Sequence, residues 1–216
     1  MCGRYSNHVK VTLNWSALLG DWPEAIPESN NIAPSQFIAT FCSEGGAAMR
    51  WGLIPSWSDE VPGKYSTFNA RIESIAEKPT FRHAWSYSQR CLVPALGYYE
   101  WRSEPGGRQP CFISSPDQPL FFAGLFEPAR GNQISASCTI LTQAARPDIA
   151  DIHTRMPVML TLDHSQDWFE SSAEQAMDLV LAEAGPALKF HSVSKKANNA
   201  RNEGDDLIEP MDFSAG

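Results

Sequence analysis

The sequence predicts an α+β fold. It reads as a single domain with a mainly antiparallel β core, either barrel-like or an open sheet, and a few peripheral helices. Three observations carry this. The 216 residues are 43% apolar and 19% charged, which suits one globular domain with a sizeable core. Short runs rich in β-branched and aromatic residues recur along the chain with Pro and Gly between them. Only a few segments carry helical spacing. Taken in order, residues 7–19 read as a short amphipathic helix with Asn7 as N-cap and Val9, Leu13, Trp15 and Leu18 on its apolar face. Strands are expected at 36–42, 47–53, 90–101, 110–114, 119–125, 136–142 and 157–161. Residues 71–77 and 80–86 read as helical turns, and 165–185 as two helical pieces stopped by Gly185. From 195 onward the chain is polar and reads as extended. The domain is expected over 1–210, followed by a frayed acidic tail at 211–216.

Composition narrows the function classes. No apolar run approaches the ~20 residues that span a bilayer, and MCGRYSNHVK holds no signal-peptide core, so a cytoplasmic protein is expected. The five cysteines, Cys2, Cys42, Cys91, Cys111 and Cys138, form no CxxC pair, and neither a metal site nor a cofactor is indicated. The last four lie in strand-like apolar runs and read as small buried hydrophobes. A net charge of −8 argues against a nucleic-acid partner, but five of the acids fall in residues 203–216 with no Lys or Arg among them, leaving −3 on the rest. A local basic groove fits on such a body.

Chemistry concentrates in four places. Met1-Cys2-Gly3 is a context in which the initiator Met is trimmed, which would leave Cys2 first. An N-terminal cysteine holds an α-amine and a thiol on neighbouring atoms, with ordinary pKa values near ~7.8 and ~8.5. The amine condenses with an aldehyde, and the thiol then closes a five-membered thiazolidine. The second place is Phe68-Asn69-Ala70-Arg71-Ile72-Glu73, where Asn69 is either a helix cap or an orienting hydrogen-bond donor. The third is Gly97-Tyr98-Tyr99-Glu100-Trp101, where Glu100 either faces solvent or points inward with a raised pKa suited to acid catalysis. The fourth is Asp151-Ile152-His153-Thr154-Arg155, where His153 is a satisfied core histidine or an acid/base. Arg4, Arg71 and Arg155 stand beside these groups, and guanidinium forks match phosphate oxygens. Trp57 and Trp101 offer flat faces for bases, with core packing as the plain alternative for any of the seven tryptophans.

With these residues in view, the chain resembles the SRAP domain proteins, the SOS-response-associated peptidase family, which shield abasic sites by covalent crosslinking. The matching blocks are MCGRY (1–5), NIAP (31–34), WGLIPSW (51–57), NAR-E (69–73), YYEW (98–101), HTRMP (153–157) and a VS…NN…EG-DLIEP stretch (193–210). The resemblance implies an SRAP-like catalytic domain over 1–210 that joins abasic sites in single-stranded DNA through Cys2, without cofactor or metal. It implies an acid/base role for Glu100, a hold on the N-terminal amine for Asn69, and help with the Schiff-base steps and release for His153. It gives Arg4, Arg71 and Arg155 to the phosphates beside the lesion and places Pro34, Trp57 and Trp101 in the DNA-binding surface. The loop at Trp57 resembles one that wedges against a duplex end, although Ser58 stands where some relatives carry a second aromatic. Strand cleavage at the lesion and a Cys-dependent peptidase or autoprocessing activity are further implications, and a monomer is expected.

Two other classes stay open at this stage. An N-terminal-nucleophile amidohydrolase or glutamine amidotransferase also begins with a cysteine, but leaves the Asn69, Glu100 and His153 clusters unexplained. A non-covalent single-stranded DNA-binding module needs only the arginines and tryptophans.

Overall fold

A computed structural model of the chain describes residues 2–13, 16–23, 26–60 and 66–211. Its architecture is two β layers with short helices at the edge. The first layer closes on itself. Strands β3 (Phe37–Cys42) and β4 (Gly45–Trp51) form an antiparallel hairpin. β4 runs parallel to β10 (Ser137–Ala144), β10 pairs antiparallel with β9 (Leu120–Glu127), and β9 pairs with β6 (Arg90–Ala95). β6 returns to β3 through Phe41 and Leu92, completing a ring. Closure removes exposed strand edges. Beyond the ring β10 continues, pairing with β5 (Asn69–Arg71) on one side and β11 (Arg155–Pro157) on the other. The second layer is an antiparallel sheet in the order β12 (Lys189–Ser192), β8 (Gly107–Ser114), β7 (Gly97–Glu104), β1 (Tyr5–Asn7), β2 (Ser29–Ile32).

One corner joins the layers. The run 90–101, expected as one strand, divides at Leu96 into β6 of the ring and β7 of the second sheet. The Leu96 amide bonds the Ser6 carbonyl at 2.9 Å, turning the chain onto β1. Gly97 makes the turn possible: a Cβ there would stand 2.5 Å from the Phe112 ring and 2.6 Å from the Ile113 carbonyl. Between the layers Tyr5 meets Trp51 edge-on at 5.3 Å and Tyr98 meets Phe122 at 5.9 Å, the arrangement aromatic quadrupoles favour. All five cysteines are buried, in keeping with the hydrophobe reading for the last four.

Helices pack on the far side of the ring. α2 (Arg82–Ser86) and α3 (Ser165–Glu170) bring the adjacent rings of Trp85 and Trp168 to the Arg90 guanidinium, 5.4 and 5.3 Å from its carbon. Arg90 donates to the Trp168 carbonyl at 3.3 Å and to that of Ser171, satisfying acceptors at the end of α3. Burial lowers its pKa to about 10, which leaves it charged at neutral pH. α4 (Ala173–Ala182) begins with a capping box formed by Ser172 and Gln175, so 165–185 is two helices as expected.

Other expectations are corrected. Residues 7–19 do not form one helix. Asn7 ends β1, a single 3-10 turn spans Val9–Val11, and α1 covers only Ser16–Leu19; Trp15 lies outside the described residues. Strand pairing with β2 and β7, reinforced by a buried 2.6 Å bond from Ser6 Oγ to Asn30, claims the segment's start. Residues after 195 are not extended: they form 3-10 turns at Lys195–Asn198 and Asp205–Leu207. Met211, placed in the frayed tail by sequence, is bonded to the Ser192 carbonyl at 2.9 Å, while 212–216 lie outside the described residues.

Candidate active site

Cys2 enters the fold just ahead of β1 and is 0% exposed. The Arg4 carbonyl two residues on accepts the Tyr99 amide at 2.9 Å, stitching this start of the chain to β7. Asn69, the first residue of β5, donates from Nδ2 to the Cys2 carbonyl at 2.6 Å. That settles the local ambiguity at Asn69. The following 3-10 turn starts at Ile72 with Arg71 as its N-cap, so Asn69 grips the N-terminal segment rather than capping a helix. The Trp51 indole donates to the Phe68 carbonyl at 2.9 Å and fixes the strand from the other side.

Glu100 sits on β7 opposite Cys111 of β8 and is 3% exposed, so it faces inward. Burial pushes its carboxyl above the usual range, against the opposing pull of His153. The same environment acts on the Cys2 thiol, which burial, and then the Glu100 charge, hold well above the ordinary thiol range. This thiol is neutral at physiological pH. His153 lies in the turn between β10 and β11, and its Nδ1 accepts the Arg155 amide at 3.0 Å.

Glu100 and His153 line an open cleft of about 590 Å³, together with Phe68, Trp101, Ser103 and Arg108. Cys2 and Asn69 do not line it. Phe68, the neighbour of Asn69, and Glu100, whose charge is felt by the Cys2 thiol, join them to its wall.

The cationic and aromatic residues divide. Arg4 donates from Nη1 to Asn31 Oδ1 at 2.7 Å and to the Ala197 carbonyl at 3.0 Å, and its guanidinium stands 5.9 Å from the Trp101 ring centre. Trp101 donates to Asn198 Oδ1 at 2.7 Å. These two residues thus form one wall with the segment after β12. Arg71 is exposed at the end of β5. Arg155 makes a two-pronged pair with Glu73, at 2.6 and 2.9 Å, and also bonds the Thr142 carbonyl at 2.7 Å. Its fork is engaged within the protein, and the Glu73 carboxyl is lowered by it. Pro34 stands in the turn between β2 and β3, and Trp57 is exposed on the loop after β4.

Asn31, Asn198, Ser103 and Arg108 were not singled out from sequence. Asn31 lay within the NIAP block, and the β7–β8 register, which pairs Ser103 with Arg108, would have pointed to the latter two. Among the described residues no three His, Cys, Asp or Glu side chains converge as a metal-binding group. No described helix is long and apolar enough to cross a membrane.

Comparison with known proteins identifies the family and the fold. The family model for SOS response associated peptidase (SRAP) matches residues 1–200. The chain is 36% identical over 193 residues to the abasic site processing protein YoqW of Bacillus subtilis, covering 84% of this chain and 85% of that one. It is 34% identical over 170 residues to the abasic site processing protein YedK of Escherichia coli, covering 74% and 73%. A crystal structure of a Bordetella bronchiseptica protein superposes with a TM-score of 0.78 at 26% identity, over 89% of this chain and 100% of that one. The chain belongs to the SOS response associated peptidase (SRAP) family.

Proposed function

We propose that this chain processes abasic sites in single-stranded DNA by joining them covalently to Cys2 once Met1, which lies outside the described residues, has been removed. The observation that carries the reading is the grip of Asn69 on the Cys2 carbonyl, at 2.6 Å, beside a buried carboxyl that opens onto the cleft. The names of the abasic site processing relatives point the same way.

The steps balance without an oxidant. The abasic sugar is mostly a closed hemiacetal, so its ring oxygen gains a proton as the anomeric hydroxyl loses one, freeing the aldehyde. Glu100, whose carboxyl burial raises above the usual range, is suited to donate. The Cys2 amine adds to the aldehyde carbon, and the carbinolamine loses water to give an iminium. His153 moves protons in this dehydration and in its reverse. The thiol then adds to the iminium carbon and gives up its proton, closing a thiazolidine. The sum is one water lost and no change of oxidation state.

The grip of Asn69 on the Cys2 segment and the placing of Glu100 and His153 on one cleft favour this over the amidohydrolase reading, which leaves those residues without a role. The lesion has to be unpaired to enter the cleft, hence the single strand. Arg71 stands exposed to a phosphate, whereas Arg4, bonded to Asn31 and Ala197, and Arg155, paired with Glu73, would join it only by exchanging protein partners for phosphate oxygens. Cys2→Ala tests the reading on denaturing gels. The variant retains an amine, so it forms only a hydrolysable imine, and a heat-stable adduct with it would refute the thiazolidine. Glutamine hydrolysis by the unaltered protein, without any DNA adduct, would favour the rival.

A further inference from the structure

Arg130 lies outside every block of the sequence that carries the family resemblance, yet it holds the loop that displays Trp57. That tryptophan is 64% exposed, an unusual position for so large an apolar ring. It is also far from loose. Its Nε1 donates to the Pro79 carbonyl at 3.3 Å. The turn carrying it is closed by the Ser58 amide on the Pro55 carbonyl at 2.9 Å. Arg130 Nη2 spans that turn, donating to the Pro55 carbonyl at 3.0 Å and the Ser58 carbonyl at 2.6 Å.

Arg130 is itself fixed. It pairs with Ile134 across a tight loop after β9, through bonds of 2.9 and 3.3 Å in the two directions. Its Nη1 is buried behind the turn. The start of the Trp57 loop is anchored by the Ile54 amide on Ser137 Oγ at 2.8 Å and the Leu53 amide on the Thr67 carbonyl at 3.2 Å. Thr67 precedes Phe68, which lines the cleft. The Leu53–Thr67 bond therefore ties the base of the Trp57 loop to the segment that leads into the cleft wall.

We propose that Arg130 is a positioning residue that keeps Trp57 as a preformed stacking platform for a nucleobase next to the lesion, at a duplex end flanking the single strand. Holding an aromatic in place before the ligand arrives removes the ordering cost that a mobile loop would subtract from affinity. The inference rests on the reading that the cleft takes DNA.

The test compares two oligonucleotides, one with an abasic site in plain single strand and one with the site beside a duplex end. Crosslinking is measured against DNA concentration for Trp57→Ala, Arg130→Ala, Arg130→Lys and the double alanine variant, with thermal melting as a check on folding. Loss of a base stack weakens half-saturation on the junction roughly fivefold or more for Trp57→Ala. Arg130→Ala should reproduce a several-fold part of that shift, with the saturating rate little changed. Arg130→Lys, which retains one donor, should recover some of it. The double variant should match Trp57→Ala alone. Effects that multiply in the double variant, or an Arg130→Ala protein with unaltered junction affinity, would overturn the proposal. Should Arg130→Ala fail to fold, Arg130→Lys carries the comparison. A Trp57→Ala protein that crosslinks both oligonucleotides as the unaltered chain does would also overturn it while leaving the abasic-site reading intact. No crosslink from any of these proteins would instead defeat that reading.

Discussion

Glu100→Gln changes one buried oxygen to nitrogen, preserves the volume of the side chain, and removes the ability to give or take a proton. Two quantities should respond. The first is rate: positioned general acid–base catalysis contributes about 10²–10⁴-fold, or about 2.7–5.4 kcal/mol of barrier. Single-turnover crosslinking should slow by that order, while equilibrium binding of an uncleaved analogue of the DNA holds within about threefold, as expected of a group that acts in proton transfer. The second is stability against pH. Burial raises the Glu100 carboxyl in the folded protein, so between the unfolded value, near ~4.3, and the folded one the native state binds more protons than the unfolded state. Stability of the unaltered protein is therefore lost as pH rises through that window and levels off above it. Each pKa unit of the window is worth about 1.4 kcal/mol. Gln carries no such dependence, so the difference between variant and parent in urea unfolding should grow in favour of the variant from pH 4 upward and then flatten. A pH-independent difference, or parallel losses of rate and affinity, would refute the reasoning that Glu100 is a buried acid poised for catalysis.

Three other outcomes are expected. Asn69→Ala leaves the Cys2 carbonyl without its 2.6 Å donor and should cost about 1–3 kcal/mol in urea unfolding. Crosslinking should slow beyond what that loss explains, and a rate unchanged per folded molecule would remove Asn69 from the site. Arg90→Ala strips donors from the Trp168 and Ser171 carbonyls and the cation from beside two indoles, and should cost roughly 2–4 kcal/mol without altering crosslinking by the folded fraction. Non-covalent binding to single-stranded DNA should weaken with salt; two or three phosphate contacts give a log–log slope of about −1.4 to −2.1. A flat titration would argue against Arg4 and Arg71 as phosphate ligands.

The parts of the fold legible in sequence are those whose residues bury on their own account. β3 and β9 are largely apolar runs and β10 is rich in β-branched residues, and all three were expected close to where they lie. β1, β2, β5 and β12 were missed because YSN, SNNI, NAR and KFHS are three or four residues long and largely polar; their partners make them strands. The corner at Leu96 was hidden for the opposite reason, since residues on both sides are equally apolar and only the missing Cβ of Gly97 marks it. Within the site, Glu100 stood out as a carboxylate inside an aromatic run, and its inward orientation follows from the pairing of β7 with β8. Arg155 was read as a phosphate fork because the fork itself is visible in sequence, whereas its partner is not. Glu73 reaches it only through the side-by-side register of β5, β10 and β11. Arg130 gave no signal at all, since its targets are backbone carbonyls more than 70 residues away in sequence.

The central claim is the covalent bond at Cys2, and intact mass tests it most directly. Purified protein shown to begin at Cys2 would be incubated with a single-stranded oligonucleotide bearing one abasic site, then heated and weighed. The account predicts a heat-stable species equal to the Met1-less protein plus the DNA less one water, with fragmentation placing the DNA on Cys2, and no such species from protein that retains Met1, whose Cys2 nitrogen is an amide. A stable adduct on the Met1-retaining protein, or none on protein confirmed to start at Cys2, would contradict it.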